Sequence, residues 1–214
     1  MIFYSNWRSL AADRVRVALA LKGVPHEVKV IDMLGGEHLK PEFRAVNPQA
    51  VLPALQLDDG RVLFQSMAIV EYLDEIAPTP PLLPADAAGR ARVRGLALIH
   101  AADTHPLLVP KVRTHLTKDL GLGDEALQKW LSRALHSGLE AIEAQLASPK
   151  DTGPYCHGDQ VTLADICLAS HLLAFMFFKL DASAYPTAVA INERLQALPA
   201  FAAAHPLKQP GAPG

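Results

Sequence analysis

Two serines stand where a strand pattern gives way to a helix pattern. Ser9 follows the apolar run MIFY, and Ser66 follows the run RVLFQ. The first N–H groups of a helix lack partners within the helix and lie at the positive end of its dipole. A helix start of this kind favours an anion, to which a serine hydroxyl can donate a hydrogen bond. The two serines therefore predict two anion-binding positions, one at the start of each helix.

Each of these positions also has a purely structural interpretation. Serine is among the preferred helix N-cap residues, so Ser9 taken alone fits that role as well as it fits ligand binding. Taken alone, Pro53 is typical of a strand edge and His38 of a solvated loop. Arg14 and Arg16, on the helix that follows Ser9, are expected to pair with carboxylates of this chain.

The first eighty or so residues mix strand and helix patterns. In chain order they predict a strand (MIFYS), a helix that Gly23 ends (AADRVRVALALKG), a strand (HEVKVID), a hairpin (LPALQL, DDG, RVLFQ) and a helix that Ser66 caps (MAIVEYLDEI). Residues 35–49 are polar and contain two prolines, so we predict a loop that could include one helical turn. This order of elements predicts a mixed sheet with helices on both faces.

The pattern changes after the proline-rich stretch 77–89, which is typical of a linker between domains. A helix around Leu96 is expected to bend or break at Pro106 and Pro110. The later segments predict an amphipathic helix (DEALQKWLSRALHSGLEAIEAQLA, with an apolar stripe at Leu127, Trp130, Leu131, Ala134, Leu135, Ile142 and Leu146), a helix that is apolar on nearly every side (VTLADICLASHLLAFMFF), a last helix (TAVAINERLQAL) and a frayed tail (KQPGAPG).

Thr162 and Asp165 form the pattern of a capping box at the start of the apolar helix. A helix with apolar residues on all sides belongs in the centre of a helical bundle. We therefore predict two domains, residues 1–80 with a mixed sheet and residues 88–214 with helices alone.

The composition excludes several classes of protein. The chain has 214 residues, half of them hydrophobic, and a formal net charge of −2, which gives no electrostatic basis for binding nucleic acid. Its two cysteines, Cys156 and Cys167, are too few for a disulfide framework and favour a reducing compartment. No apolar run is long enough to span a bilayer, and the nine histidines show no zinc-binding spacing. We expect a cytoplasmic protein without a metal and without nucleic-acid or membrane partners.

Four motifs resemble one family. The segment WRS…RVRVAL (Trp7 to Leu19) resembles the opening signature of the zeta class of glutathione transferases, the maleylacetoacetate and maleylpyruvate isomerases. The segments NPQAVLPAL, FQSMAIVEYLDE and VTLADI resemble three later motifs of this family, in the same order, so the resemblance covers essentially the whole chain. It implies the cytosolic glutathione transferase fold, an α/β thioredoxin-like N-terminal domain that binds glutathione and an all-α C-terminal domain that contributes the substrate pocket.

The resemblance also implies roles for individual residues. Ser9 would donate its hydroxyl proton to the thiolate of glutathione, with Arg8 as a second catalytic residue. The Leu52–Pro53 bond would be cis, which turns the backbone of Leu52 outward to pair with the peptide ligand. The remaining glutathione-binding residues would be Gln65 and Ser66 at the γ-glutamyl carboxylate, and His38 and Gln49 at the glycyl end.

The reaction implied by the resemblance begins with addition of the thiolate to an electrophilic carbon. Bond rotation and elimination then give cis–trans isomerisation, whereas a reaction that stops at addition or displacement gives a conjugate.

The family also implies a homodimer with the site near the cleft between subunits. An alternative is a glutathione-binding or structural module without catalysis, which would hold glutathione without lowering its thiol pKa.

The sequence departs from the zeta signature beside the predicted thiol site. Leu10 and Ala11 replace the serine and cysteine that follow the first serine of the signature. Arginine is the preferred partner of a carboxylate, but Met176 stands in the helical segment where a maleylpyruvate isomerase carries one. We therefore expect weaker turnover of maleylacetoacetate or maleylpyruvate than a typical zeta enzyme shows, and better activity on a less charged electrophile. The predicted substrate pocket contains Leu10, Ala11, Lys111, Arg113 and Met176, with Lys179 as a further cation.

Overall fold

A four-stranded sheet lies at the centre of the N-terminal part of the chain. The structure is a computed structural model that describes residues 1–148 and 150–213. The strands lie in the order β2-β1-β3-β4, where β2 is parallel to β1 and the β3–β4 hairpin continues antiparallel. They are β1 (Ile2–Ser5), β2 (Glu27–Val30), β3 (Ala54–Gln56) and β4 (Val62–Phe64). The predicted strands and hairpin are confirmed.

Three helices follow strands of this sheet, namely α1 (Leu10–Lys22), α2 (Pro41–Val46) and α3 (Ser66–Ile76). Helix α1 ends at Gly23 in the left-handed conformation (φ 61°), as predicted. The prediction for residues 35–49 is wrong, because a 3₁₀ turn (Glu37–Leu39) precedes α2 there. Pro41 occupies the first position of α2, where its missing N–H costs nothing, and buried Phe43 packs α2 onto the sheet.

The pairing register brings four connecting segments to one edge of the sheet. Ala54, the first residue of β3, pairs with both Tyr4 and Phe64, which lie near the ends of β1 and β4. Ser5, the last residue of β1, pairs with Val30, the last residue of β2. The segments that follow β1, β2 and β4 therefore leave the sheet at the edge where the segment before β3 enters it.

By its contacts the chain divides into two units. One unit comprises residues 1–82 together with 197–214, and the other comprises residues 83–196. The sequence-based division assigns all of residues 88–214 to the helical domain. In the structure the end of the chain packs with the first unit, because a helix at residues 199–204 lies against α1.

The end of the chain is held by specific contacts with the first unit, so the predicted frayed tail is wrong for the described residues. Helix α9 (Pro199–Ala204) ends at Ala204, whose carbonyl accepts a hydrogen bond from Arg16 Nε (3.2 Å). Gln209 Nε2 donates to the carbonyl of Ala203 (2.8 Å), and Gly211 lies beside Trp7.

The second unit contains the helices α4 (Ala87–Leu98), α5 (Pro110–Thr114), α6 (Asp124–Leu146), α7 (Leu163–Phe178) and α8 (Pro186–Gln196). Helix α4 continues as a π-helical segment (Ile99–Thr104), and Pro106 lies in the 3₁₀ turn that follows. The predicted bend or break at this place is confirmed. None of the helices in the described part of the chain combines the length and apolar character needed to cross a membrane.

Helix α7 is the buried centre of the second unit, as predicted from its apolar sequence. The capping box is present, with Thr162 N (2.8 Å) and Thr162 Oγ1 (2.7 Å) donating to Asp165 Oδ2. Burial raises the pKa of the Asp165 carboxyl, although these donors oppose the shift. The predicted stripe of α6 is wrong at one position, because Trp130 is 38% exposed while Leu131 and Leu135 are buried.

Two buried histidines link the π-helical segment to α7. His171 Nε2 lies 2.9 Å from the carbonyl of Leu135, which only accepts, so Nε2 carries a proton. In neutral His171 the Nδ1 atom is therefore an acceptor, 3.1 Å from Nδ1 of His100, which must donate. His100 Nε2 then accepts from the hydroxyl of Ser170 (3.2 Å). This chain of hydrogen bonds is complete when both rings are neutral, and it cannot form when both are protonated, because two Nδ1–H groups would then face each other.

The histidine pair makes stability depend on pH. Burial lowers the pKa of His171 from 6.5 to about 4. As the pH falls, the unfolded chain therefore takes up a proton at this residue at a higher pH than the folded chain does. The stabilisation is complete above pH 6.5 and is lost as the pH falls towards 4, by up to about 3 kcal/mol. Urea unfolding at several pH values gives the free energy of unfolding as a function of pH. Between pH 6.5 and 4 this free energy should fall less steeply for His171→Gln than for the wild type, whereas exposed His26→Gln should keep the wild-type pH dependence.

Candidate functional site

The turn between β4 and α3 brings Gln65 and Ser66 to the common edge of the sheet. Gln65 adopts φ 68°, a conformation unusual for a residue other than glycine, and its Nε2 atom lies 3.0 Å from Gln49 Oε1. Gln65 is the N-cap of α3 and Ser66 its first residue, so the prediction that Ser66 caps this helix is wrong. The first turn of α3 contains no acidic residue, and the Gln65 side chain makes no capping bond. The start of α3 therefore lies at this edge with the positive end of its helix dipole, which favours an anion.

The hydroxyl of Ser66 is held from within the first unit by a cation. Arg14 Nε and Nη2 both donate to Ser66 Oγ, at 3.0 and 2.9 Å. Both residues are buried. The sequence predicts carboxylate partners for Arg14 and does not predict this contact, which crosses from α1 to α3.

Ser9 is the N-cap of α1, so its structural interpretation is confirmed. Its Oγ atom accepts a hydrogen bond from the N–H of Ala12 (3.2 Å). A hydroxyl has one proton to donate besides its two acceptor positions. Capping therefore leaves the Ser9 proton available for an anion, and the structural role and the predicted binding role are compatible.

The loop between β1 and α1 is fixed by the buried guanidinium of Arg16. Its Nη1 atom donates to Ser5 Oγ (3.1 Å) and to the carbonyl of Asn6 (3.2 Å), and Nη2 donates to the carbonyl of Trp7 (3.3 Å). The Asn6 carbonyl also accepts from the N–H of Ser9 (3.1 Å). Arg16 thus holds the backbone that sets the position of Ser9.

Asp13 balances the charge of Arg16 inside the first unit. Arg16 Nη2 lies 3.3 Å from Asp13 Oδ1, and both side chains are buried, so the predicted carboxylate partner of Arg16 is confirmed. Burial raises the pKa of the Asp13 carboxyl, while Arg16 and Arg14 act to lower it. Burial likewise lowers the pKa of Arg16, and Asp13 opposes that shift.

The segment before β3 presents the backbone of Leu52 at the same edge. The Leu52–Pro53 bond is cis, as the resemblance implies. Buried Asn47 shapes this segment, since its Nδ2 donates to the carbonyl of Val51 (2.7 Å) and its Oδ1 accepts from the N–H of Gln49 (3.1 Å). Sequence reasoning overlooked Asn47, although an asparagine before a proline is a common turn signal.

His38 lies on the segment that leaves the edge after β2. It belongs to the 3₁₀ turn that precedes α2. Its Nδ1 atom is buried and has no hydrogen-bond partner among residues 1–148 and 150–213. Buried polar atoms of proteins are nearly always paired, so an unpaired imidazole nitrogen at this place fits a residue that binds a polar ligand.

The remaining predicted residues are distributed over both units. Arg8 is exposed, and its N–H donates to Asn6 Oδ1 (3.0 Å); Leu10 and Ala11 are buried in the first turn of α1. In the second unit, the Arg113 guanidinium lies over the Phe178 ring (5.8 Å). Lys111 in α5 and Met176 in α7 are exposed, as is Lys179 at the end of α7. Their participation in a substrate pocket stays a prediction.

Family models match both parts of the chain. Residues 8–76 match the N-terminal domain of glutathione S-transferase, and residues 124–204 match its C-terminal domain. The chain belongs to the glutathione S-transferase family. The predicted fold, a thioredoxin-like α/β domain and an all-α domain, is that of this family.

Relatives of this glutathione S-transferase include enzymes of the zeta class, which confirms the resemblance read from the sequence. It is 43% identical over 211 residues to the maleylpyruvate isomerase of a Ralstonia species, covering 98% of this chain and 99% of that protein. A holo structure of a bacterial maleylpyruvate isomerase of the zeta class is 41% identical with a TM-score of 0.96 and full coverage of both chains. The maleylacetoacetate isomerase of Methylobacterium extorquens, solved with malonate and glutathione, is 47% identical with a TM-score of 0.97, again over the full length of both chains.

Among the described residues of this transferase, no three histidine, cysteine, aspartate or glutamate side chains gather into a group that could hold a metal ion. The polar groups at the edge of the sheet are instead hydroxyls, amides, an imidazole and backbone N–H groups. Such groups suit a small peptide with carboxylates better than they suit a cation.

Proposed function

We propose that this protein is a glutathione-dependent isomerase that converts a maleyl keto acid from its cis to its trans form. The observation that carries the proposal is the convergence of four connecting segments at one edge of the sheet, each bearing a residue type that glutathione requires. The zeta-class relatives named for this reaction support the substrate class.

Glutathione fits the residues at this edge. Its γ-glutamyl carboxylate would accept hydrogen bonds from Ser66 and from the first turn of α3, beside Gln65. The backbone of Leu52, which precedes Pro53, would pair with its cysteinyl peptide group. Its glycyl end would meet His38 Nδ1, which has no partner among the described residues, and Gln49.

When bound, glutathione supplies the thiol that attacks the substrate. Ser9 stands at the N-terminus of α1, where the helix dipole and the hydroxyl proton both favour a negative charge. The Ser9 hydroxyl would therefore lower the pKa of the thiol by donating to its sulfur. Arg8, on the same loop, would contribute positive charge. The chain thus favours the thiolate without a general base.

Replacing Ser9 tests this role. Ser9→Ala is expected to lower turnover by about ten- to a thousandfold and to leave glutathione affinity nearly unchanged, because the sulfur is the one atom of glutathione that the hydroxyl would contact. Calorimetry gives the affinity, and ultraviolet titration of the thiolate gives the thiol pKa in the complex.

Two further variants separate thiolate stabilisation from helix capping. Ser9→Gly retains most of the capping energy without a hydroxyl and should be as slow as Ser9→Ala, whereas Ser9→Thr should keep the wild-type rate. Full activity and an unchanged thiol titration in Ser9→Gly would contradict the role of Ser9. Glutathione bound by the wild type with its solution pKa would favour a binding module without catalysis.

A maleyl keto acid carries two carboxylates, which need cations where water is excluded. The candidate cations are Arg8 in the first unit and Lys111, Arg113 and Lys179 in the second. Malonate, the molecule bound with glutathione in the Methylobacterium relative, is itself a dicarboxylate. We propose that these cations hold the substrate and that Leu10, Ala11 and Met176 weaken its binding relative to typical zeta enzymes.

Kinetics with charged and uncharged electrophiles test this substrate preference. The wild-type kcat/KM for maleylpyruvate or maleylacetoacetate is expected to lie below the usual enzymatic range of about 10⁴–10⁸ M⁻¹s⁻¹. Met176→Arg should raise it by about tenfold, because arginine binds carboxylates in a bidentate way, and should leave an uncharged electrophile unaffected. A wild-type value within the enzymatic range would show that the apolar substitutions do not limit isomerisation.

We also propose a homodimer. In the second unit a groove of about 400 Å³ is lined by Leu107 and Trp130, which are 37% and 38% exposed, and by the opposite charges of Asp103 and Arg133. A surface with both charges suits a two-fold contact, in which Asp103 of each copy meets Arg133 of the other. Light scattering at micromolar concentration should give the mass of a dimer, and a monomer would contradict the proposal.

A cytoplasmic location stays a prediction from the sequence.

A further inference from the structure

A buried arginine supports the proposed γ-glutamyl position from behind. Arg14 is 2% exposed, lies in the second turn of α1 and directs two N–H groups of its guanidinium to the single oxygen of Ser66. Ser66 in turn is the first residue of α3 and is itself 4% exposed. The contact joins two helices whose N-termini are the two anion-binding positions of the proposed site.

The two N–H groups determine the direction of the Ser66 proton. A hydroxyl oxygen has two acceptor positions and one proton. When a guanidinium fork approaches the oxygen at 2.9 and 3.0 Å, its positive charge repels the hydroxyl proton, which points away from Arg14. Ser66 is thereby fixed as a donor towards any further partner.

The same contact strengthens the hydroxyl as a donor. A hydroxyl that accepts hydrogen bonds from a cation is polarised and donates more strongly to an anion. The guanidinium also places a positive charge next to Ser66 Oγ, so that this oxygen alone would separate the charge from a carboxylate bound by the hydroxyl. The charge acts through a medium of low dielectric, where electrostatic interactions are less screened than in water.

We propose that Arg14 is a positioning residue for glutathione, acting through Ser66 on the γ-glutamyl α-carboxylate. It orients and polarises the hydroxyl and does not touch the ligand. The inference rests on the proposed function, which makes glutathione the ligand of this edge. It predicts that Arg14 contributes to the recognition of one carboxylate and to no other part of the tripeptide.

The test uses a pair of ligands that differ at this carboxylate alone. Glutathione and its analogue 4-aminobutyryl-cysteinyl-glycine, in which hydrogen replaces the α-carboxylate, are titrated by calorimetry into the full-length protein. The wild type is expected to prefer glutathione by about tenfold or more. Arg14→Met should raise the Kd for glutathione by about tenfold and the Kd for the analogue by less than about twofold, so that most of the preference disappears.

Lys22→Met is the matched control on the same helix. Lys22 is also a buried cation of α1, and its Nζ atom bonds to Asp74 Oδ1 (2.5 Å), far along the helix from Ser66. This variant should lose stability to heat as Arg14→Met does and should keep the wild-type preference. Equal weakening of both ligands by Arg14→Met would show a purely structural role, and a full wild-type preference in Arg14→Met would likewise overturn the proposal.

Milder variants keep the test decisive if Arg14→Met does not fold. Ser66→Ala should lose the preference to the same extent as Arg14→Met. Arg14→Lys keeps the charge but has a single donor nitrogen in place of the two that reach Ser66 Oγ. It should therefore lower the preference for glutathione when introduced alone and have no further effect when introduced into Ser66→Ala. An equal effect of Arg14→Lys in both backgrounds would overturn the route through Ser66.

The wild-type titration separates this proposal from the proposed function. A wild type that binds neither ligand would contradict glutathione binding itself. A wild type that binds both ligands equally well would leave glutathione binding intact and would overturn the role of Arg14.

Discussion

Two buried guanidinium groups on one helix fix the positions from which this site is built. Arg14 and Arg16 lie two positions apart on α1, so their side chains leave the helix in different directions. Arg14 reaches Ser66 at the start of α3, while Arg16 reaches the backbone that precedes Ser9. Burying such charges is costly unless they are hydrogen-bonded, and here the bonds go to the segments that carry the proposed ligand contacts. The interior of the first unit and its binding edge are therefore stabilised by the same contacts.

The sheet supplies the other constraint, because its mixed topology brings chain segments of both directions to one edge. Parallel strands β1 and β2 end there, the antiparallel strand β3 begins there, and β4 ends there. Loops, a turn and two helix N-termini meet at this edge. A peptide ligand can accordingly find backbone groups, hydroxyls and an imidazole within one small region.

Both serines of the proposed site have a structural role that is compatible with the ligand contact proposed for them, because of the chemistry of the hydroxyl. Ser9 accepts from the N–H of Ala12, and Ser66 accepts from Arg14. In each case the protein uses the oxygen and leaves the proton for an anion. The choice between a cap and a ligand contact, which the sequence leaves open for Ser9, is therefore not an exclusive one.

Local patterns in the sequence determined much of this protein. The strand order along the chain, the helix end at Gly23, the hairpin, the capping box at Thr162 and the family motifs follow from neighbouring residues, whose backbone preferences and hydrogen bonds act over short distances. Tertiary structure decided the rest. Helix α2 forms in a segment interrupted by prolines because burial of Phe43 against the sheet stabilises it. The end of the chain belongs to the first unit because α9 packs against α1. The partner of Arg14 lies 52 positions away, and no periodicity or propensity specifies a contact between two helices that only the packed sheet brings together.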